Sequence, residues 1–374
     1  MIQDDKIILS YGLLCVTDDA EFMTFDGKKF TLNETALKAH LKAVSNAGAN
    51  AVRIMPWCVW GKRPYGKKSQ FQPYFLDTSR DKWDLSLFAG PYFRIMRRIF
   101  EIANGVGLTV IFCWFDNCQM QGGYRKWSPW YSNTQGITSF YGSDADKYTK
   151  RWISGCLNQF SKYNVLWAFG NELNNAAFPA MAQRVIFPII RARKLDFNRM
   201  TYGATMEDRN YMGQHQYCDS PETIQDTVKK FVEFEFGEHV KLDIYKEVHA
   251  CGYPVPGDTV NRPYGCRVDQ ALCWWGKRPI RILFSDDGRG PKLNGDSKCD
   301  RDISGKSRPS ADKWYKMMTY ILGNYPNKIG AQDKLLNFEH VPGGGDLACQ
   351  TATIESMSKA YKAKFGKWPH NHKG

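Results

Sequence analysis

Glu172 is the residue whose type and position best suit acid–base chemistry. It follows Asn171 at the end of an apolar run, residues 165–170, and such a short run is typical of a buried strand. A carboxyl group at a strand end is partly desolvated, which raises its pKa because burial disfavours the charged form. A carboxyl group tuned in this way can donate a proton near neutral pH. We therefore expect Glu172 to act as a general acid at the edge of a cleft.

Arg53 is a second residue that indicates a site. It lies inside an apolar run, residues 51–57, where an unpaired charge is costly to bury. A carboxylate partner is therefore expected beside it. The alternative is that its side chain extends to the rim of the sheet and reaches water.

Eight short apolar segments alternate with longer amphipathic ones along the chain, which is typical of a parallel sheet with crossover helices. The predicted strands are residues 7–16, 51–57, 108–115, 165–171, 200–205, 241–249, 280–285 and 335–340. The predicted helices are residues 34–47, 90–104, 144–162, 181–195, 221–236, 267–275, 311–323 and 347–365. A different sixth strand, residues 211–217, is disfavoured because a parallel crossover needs about a dozen residues.

Eight strand–helix repeats favour a closed barrel over an open sheet. The fold class is therefore predicted to be α/β, a (β/α)8 TIM barrel with long βα loops, and residues 1–374 to be one domain. Three long loops, residues 58–86, 116–142 and 288–309, follow the carboxyl ends of strands. That face carries the active site in such barrels.

Three segments resemble the clan A glycoside hydrolases, and within them the family-5-like cellulases and mannanases. Asn171-Glu172 resembles the end of the family's fourth strand, where glutamate is the acid/base and asparagine binds the sugar 2-hydroxyl. Residues 47–54, Ala-Gly-Ala-Asn-Ala-Val-Arg-Ile, resemble its second strand, which implies that Arg53 keeps the nucleophile ionised. Residues 105–111, Gly-Val-Gly-Leu-Thr-Val-Ile, resemble its third strand.

The resemblance implies a nucleophile at the end of the seventh strand, where the family has glutamate followed two residues later by glycine. The aligned residue here is Asp286, before Asp287 and Gly288. Aspartate is one methylene shorter than glutamate. The change can widen the gap between the carboxyl groups from the ~5–5.5 Å of retaining enzymes toward the ~6.5–9.5 Å of inverting ones. Asp286 is the first choice, and Asp287 and Glu339 are alternatives.

The resemblance also implies substrate contacts at several other strand ends. Trp114 and Asp116 lie at the end of the third strand, where a purely structural role is the alternative. His249 and Tyr253 loosely match a histidine and tyrosine near the family's nucleophile, with His215 and Tyr217 as competitors. The family's tryptophan on strand 8 is missing, so Trp275 or Phe338 is expected to replace it. Loop aromatic residues are either sugar platforms or packing: Trp57, Trp60, Trp127, Trp130 and Tyr131.

Composition agrees with a globular enzyme. Hydrophobic residues make up 43% and charged residues 24%, which excludes a disordered chain. The net charge of +13 is spread along the chain, so a solvated surface is expected and an anionic polymer is the alternative partner. Eleven cysteines show no metal spacing, and nothing suggests a nucleotide site, so neither metal nor cofactor is expected.

The N-terminus lacks the pattern of a signal peptide, and no stretch approaches the roughly 20 apolar residues of a membrane span. We expect a soluble monomer, either cytoplasmic or exported with its signal removed. Its partner is a poly- or oligosaccharide rather than nucleic acid or membrane. The expected activity is hydrolysis of a β-linked glycan by a two-carboxylate, retaining mechanism. The alternative is a barrel that binds carbohydrate without cleaving it.

Overall fold

The structure is a computed structural model. It describes residues 8–12, 22–26, 28–56, 71–116, 128–171, 177–195, 200–201, 204–205, 244–247, 282–286, 315, 319, 335–338, 347–369 and 373. For the strands at residues 8–12, 200–205, 244–247, 282–286 and 335–338, and for Asp116 and Asn171, the backbone is described.

The elements follow one another along the chain largely as the sequence predicts. The first half contains β1 (Ile8–Gly12), β2 (Met23–Phe25), β3 (Phe30–Leu32), α1 (Glu34–Asn46), β4 (Ala51–Ile54), β5 (Tyr74–Asp77), β6 (Lys82–Phe88), α2 (Gly90–Gly105), β7 (Thr109–Asp116), α3 (Ser143–Phe160) and β8 (Val165–Asn171). The remainder contains α4 (Ala177–Met181), a π-helix (Ala182–Ile186), α5 (Phe187–Ala192), β9 (Met200–Thr201), β10 (Ala204–Thr205), β11 (Ile244–Glu247), β12 (Ile282–Asp286), β13 (Leu335–Phe338) and α6 (Leu347–Phe365).

The described strands form one parallel sheet. The order is β10-β11-β12-β13-β1-β4-β7-β8-β9. β9 pairs with β8, and β10 pairs with β11. β9 and β10 are two parts of the predicted fifth strand, so the sheet spans eight strand positions. This is the order of a (β/α)8 barrel, and it confirms strand 6 at residues 244–247.

The sheet separates two apolar layers. Residues that alternate along β4, β7 and β8 face the interior, and this small cluster consists of Ala51, Met55, Ile111, Cys113, Leu166 and Ala168. Their neighbours in sequence, such as Val52, Phe112 and Trp167, belong to a larger cluster shared with the helices. Side chains of successive strand residues point to opposite faces, so each strand contributes to both layers.

Local sequence signals set the ends of α1. The side chain of Asn33 accepts a hydrogen bond from the Ala36 N–H at 3.1 Å, which is the usual role of asparagine as an N-cap. The turn after the helix contains Gly48 with φ of +115°, a conformation that favours glycine. Ser358 of α6 donates to the Ala47 carbonyl at 2.7 Å in the same turn. The last helix therefore packs against the first turn of the barrel.

Two parts of the fold differ from the prediction. The loop predicted at residues 58–86 contains the antiparallel β5–β6 pair, which Trp83 joins to the 128–140 segment through bonds with Ser132 and Thr134. The helix predicted at residues 181–195 is divided by the π-helix, where the Phe187 N–H bonds the Ala182 carbonyl. Pro188 follows directly and has no N–H to continue the α-helical pattern.

Among the described residues, no helix is both long and apolar enough to cross a membrane.

Candidate active site

The polar residues predicted at strand ends share one end of the barrel. Asp116 and Asn171 are register partners at the last pair of β7 and β8. Asp286 ends β12, where it pairs with Phe338 of β13. Because all these strands are parallel, their carboxyl ends form one rim, and this rim is where barrel enzymes place their catalytic groups.

Several predicted site residues lie outside the described residues. They are Glu172, His249, Tyr253, Trp57 and Trp275, together with the alternatives Asp287, Glu339, His215 and Tyr217. Glu172 directly follows the last residue of β8, and Asp287 directly follows the last residue of β12.

Arg53 lies inside the barrel. Arg53 is 0% exposed, so its side chain does not reach water at the rim. The prediction of a buried arginine within the second strand is therefore confirmed. The Nε–H donates to the Sγ of Cys113 at 3.2 Å. The described side chains of this interior include the apolar Ala51, Ile111 and Leu166. A positive charge in such surroundings favours the ionised form of any nearby carboxyl group.

The register relates the seventh strand to this interior. Ser285 pairs with Asn337, which pairs with Ser10, which pairs with the interior residue Ala51. The neighbouring row runs from Asp286 through Phe338 and Tyr11 to Val52 of the outer layer. Partners in a parallel ladder lie on the same face of the sheet. Ser285 therefore shares a register row with Ala51, and Asp286, at the end of its strand, shares the next row with Val52.

The prediction that Trp114 contacts substrate is wrong. This residue is 0% exposed and lies in the layer between sheet and helices. Its ring stacks on Trp167 and on Phe169, with both centroid distances 5.4 Å. The physical reason is the alternation along β7, which directs Cys113 into the barrel and Trp114 away from it. Its role is structural, which was the alternative considered from the sequence.

Trp130 also packs rather than forming a platform. Its side chain is fully buried against Phe115 and Phe140. The loop around it is held by Asn133, whose amide group bonds the carbonyls of Trp130 and Ile137 at 2.9 and 2.8 Å. Trp57, Trp60 and Trp127 lie outside the described residues.

Tyr92 of α2 supports the strand that carries Arg53. Its hydroxyl group donates to the carbonyl oxygen of Pro56, two residues beyond β4. Burial raises the pKa of Tyr92 well above its ordinary value of 10.0, so the hydroxyl group remains a donor. This contact ties the carboxyl end of β4 to the helix layer.

Cys113 is the site residue that sequence reasoning missed. Its side chain is a buried free thiol. Its contact with Arg53 depends on the pairing of β4 with β7, which joins residues 60 positions apart. A signal for it is available only after the register is known: Cys113 is two residues beyond Ile111, the register partner of Arg53.

Solved structures of glycoside hydrolases share this fold. A glycoside hydrolase family 5 mannosidase from Rhizomucor miehei is similar over 97% of this chain and 96% of its own, with a TM-score of 0.59 and 12% identity. A β-mannanase from the blue mussel Mytilus edulis is similar over 94% of this chain and 92% of its own, with a TM-score of 0.50 and 10% identity.

An exo-β-1,4-mannosidase from Opitutaceae bacterium strain TAV5 has a TM-score of 0.54 and 12% identity, with 98% of this chain matched to 61% of its own. No family model and no curated protein matches the sequence. At these identities the likeness establishes the fold. The chain is a (β/α)8 barrel of the kind used by family 5 glycoside hydrolases.

Proposed function

We propose that this protein is a glycoside hydrolase that cleaves β-linked poly- or oligosaccharides with two carboxyl groups. Glu172 is the acid/base and Asp286 the nucleophile. The observation that carries the proposal is the fully buried Arg53 inside a barrel whose rim carries Asn171 and Asp286 at the carboxyl ends of two parallel strands. A buried guanidinium group needs a carboxylate partner, and a glycosidase nucleophile must stay ionised.

The alternation along β8 supports the role of Glu172. Leu166 and Ala168 face the barrel interior. We expect the same alternation, continued past Gly170, to direct Glu172 to the interior side of the rim. We expect a carboxyl group there to have a raised pKa, because the apolar interior disfavours its charged form. It then protonates the leaving oxygen and later activates water.

Two criteria select different aspartates as nucleophile. The resemblance to the family's glutamate-x-glycine pattern selects Asp286. The register puts Ser285 in the row of Ala51, and we expect alternation from that row to favour Asp287 and, on the next strand, Glu339. Asp286 is the last residue of β12 and pairs with Phe338. We retain Asp286 as the nucleophile, and substitution of each of the three residues decides between them.

β-Mannosides are the substrate class to test first. The similar solved structures include two mannosidases and a mannanase. A variant of the Rhizomucor miehei enzyme was solved in complex with mannosyl-fructose. This chain has the same fold and a buried arginine, Arg53, inside its barrel. Both features support a sugar substrate.

The experiment compares the full chain with single variants on β-mannan, manno-oligosaccharides and cello-oligosaccharides, with released reducing ends as the readout. Glu172→Gln is expected to lower turnover by about 10²–10⁴-fold while oligosaccharide binding remains. Asp286→Asn is expected to abolish turnover, and Asp287→Asn and Glu339→Gln to retain it. Asp81→Asn in the exposed β5–β6 turn is the matched control, since asparagine tolerates the φ of +52° there. Undiminished turnover in Glu172→Gln contradicts the assignment.

Carbohydrate binding without hydrolysis is the second candidate function. The shorter aspartate and its place in the outer row of the register favour it. It predicts that calorimetry detects oligosaccharide binding while no reducing ends appear after long incubation. Release of reducing ends that depends on Glu172 excludes this alternative.

A further inference from the structure

Inside the barrel, Arg53 is held by a cysteine. Its Nε–H donates to the Sγ of Cys113 at 3.2 Å, and both residues are fully buried. Cys113 lies on β7, next to β4 in the sheet, two residues beyond the register partner Ile111. The sulfur atom is therefore nearer the carboxyl-terminal rim than the residue that pairs with Arg53.

We propose that Cys113 is a positioning residue for Arg53 in the hydrolytic reaction. With Nε directed at the sulfur atom, the edge formed by the two Nη nitrogens is the one presented to a carboxylate. That edge matches the two oxygens of a carboxylate in a bidentate pair. The thiol thus selects which edge of the guanidinium group meets the nucleophile. The inference rests on the proposed function, which supplies the nucleophile.

Sulfur suits this position for an electrostatic reason. A buried Nε–H requires an acceptor, and the Sγ of Cys113 supplies one. A carboxylate at position 113 would satisfy the donor but would also neutralise the arginine. A thiol is a weak, uncharged acceptor. It fixes the orientation and leaves the positive charge to lower the pKa of the nucleophile.

The orientation can be tested without catalysis, by the ¹H–¹⁵N resonance of the Arg53 Nε–H in the full chain. The signal is assigned by its loss in Arg53→Lys. We expect slow exchange with solvent in the wild type, a changed shift and faster exchange in Cys113→Ala, and retention in Cys113→Ser, because the hydroxyl oxygen also accepts. Cys156→Ala is the control, since Cys156 is a buried thiol of the outer layer.

The catalytic consequence is measured by the pH dependence of kcat/KM. If the guanidinium group is wrongly oriented, it lowers the pKa of the nucleophile less than in the wild type. The acidic limb of the kcat/KM profile then moves to higher pH. We expect a rise of roughly 0.5–1 pH unit in Cys113→Ala, a fraction of the full effect of an adjacent arginine. The limb is expected to stay in place in Cys113→Ser and Cys156→Ala.

An unchanged Nε–H resonance in Cys113→Ala overturns the proposal, as does an acidic limb that stays in place while kcat/KM falls. If the resonance responds as expected but no glycan is hydrolysed by the wild type, the proposed function fails while the orienting contact stands. The two failures are therefore distinguishable.

Discussion

Arg53 and Trp114 lie on adjacent strands of the same barrel but on opposite faces of the sheet. Both are large and fully buried, so burial alone does not separate a site residue from a packing residue. What separates them is the chemistry of their surroundings. Trp114 stacks on other aromatic rings, whereas a buried charge such as that of Arg53 calls for an anionic partner.

At this scale, the contact between Tyr92 and Pro56 gives a testable prediction. Tyr92→Phe removes the hydroxyl group and leaves a buried carbonyl without its donor, so the free energy of unfolding is expected to fall by about 1–2 kcal/mol. The measurement is urea denaturation. Tyr141→Phe is the control because Tyr141 is 64% exposed. Equal effects of the two substitutions would show that the buried hydrogen bond contributes nothing.

At the scale of elements, the turn between α1 and β4 contacts the last helix, α6. A methyl group on Gly48 would overlap the Ser358 hydroxyl group, which cannot move away without losing its bond to the Ala47 carbonyl. The φ of +115° adds backbone strain for any other residue. This turn therefore joins α6 to the first half of the fold through a close approach that only glycine permits.

Gly48→Ala is expected to lower the free energy of unfolding by about 2–4 kcal/mol, from strain and overlap together. Gly136→Ala separates the two effects, because Gly136 has φ of +70° but open space around it. It is expected to cost about 1–2 kcal/mol from strain alone. Thermal or urea denaturation measures both. If Gly136→Ala is as damaging as Gly48→Ala, the overlap with α6 plays no part.

A polar contact between α2 and the turn before β8 predicts a pH effect. Tyr163 donates to Glu101 at 2.9 Å, and this bond, with help from Arg98, lowers the pKa of Glu101 below 4.5. A lowered pKa in the folded state stabilises the fold above the unfolded value, and the effect is lost as the pH falls through the folded value. Because Glu101 is exposed, only a few tenths of a kcal/mol are expected.

The measurement compares the unfolding free energy of the wild type and Glu101→Gln at neutral and acidic pH. The difference is expected to be present at pH 7 and to shrink below pH 4.5. Glu355→Gln on α6 controls for the loss of one negative charge. A difference that grows toward acidic pH would reverse the sign and contradict this assignment.

At the scale of the whole molecule, the barrel determines how far apart the two carboxyl groups proposed as catalytic lie. They come from strand positions four and seven of the barrel, and their gap determines the stereochemical course. A gap of ~5–5.5 Å gives retention, and one of ~6.5–9.5 Å gives inversion. We expect retention, because a positive charge below the rim suits an ionised nucleophile that attacks the sugar directly.

Time-resolved ¹H NMR of a β-linked manno-oligosaccharide digest measures this outcome. The first product is expected to be the β-anomer, before mutarotation mixes the two forms. Methanol in the assay is expected to yield a methyl β-glycoside, which only a glycosyl-enzyme intermediate can transfer. Early appearance of the α-anomer would show inversion and would assign Asp286 or its neighbour to water activation.

Much of the fold could be predicted because its signals are local. β8 spans residues 165–171 and α6 spans residues 347–365, both as predicted. Hydrophobic periodicity and the cap at Asn33 act over a few residues, so they are readable without the rest of the chain. The alternation of strands and helices then predicted the barrel and, with Asn171-Glu172, the rim that carries the proposed chemistry.

Only the tertiary structure decided which face each strand residue takes and which distant residues meet. The outward position of Trp114, the contact of Cys113 with Arg53 and the alternate rows of Ser285 and Asp286 all follow from register between strands. Register depends on hydrogen bonds between segments that lie far apart in sequence. A shift of one residue exchanges the interior and exterior of a strand, and no local pattern along a single strand reports on that shift.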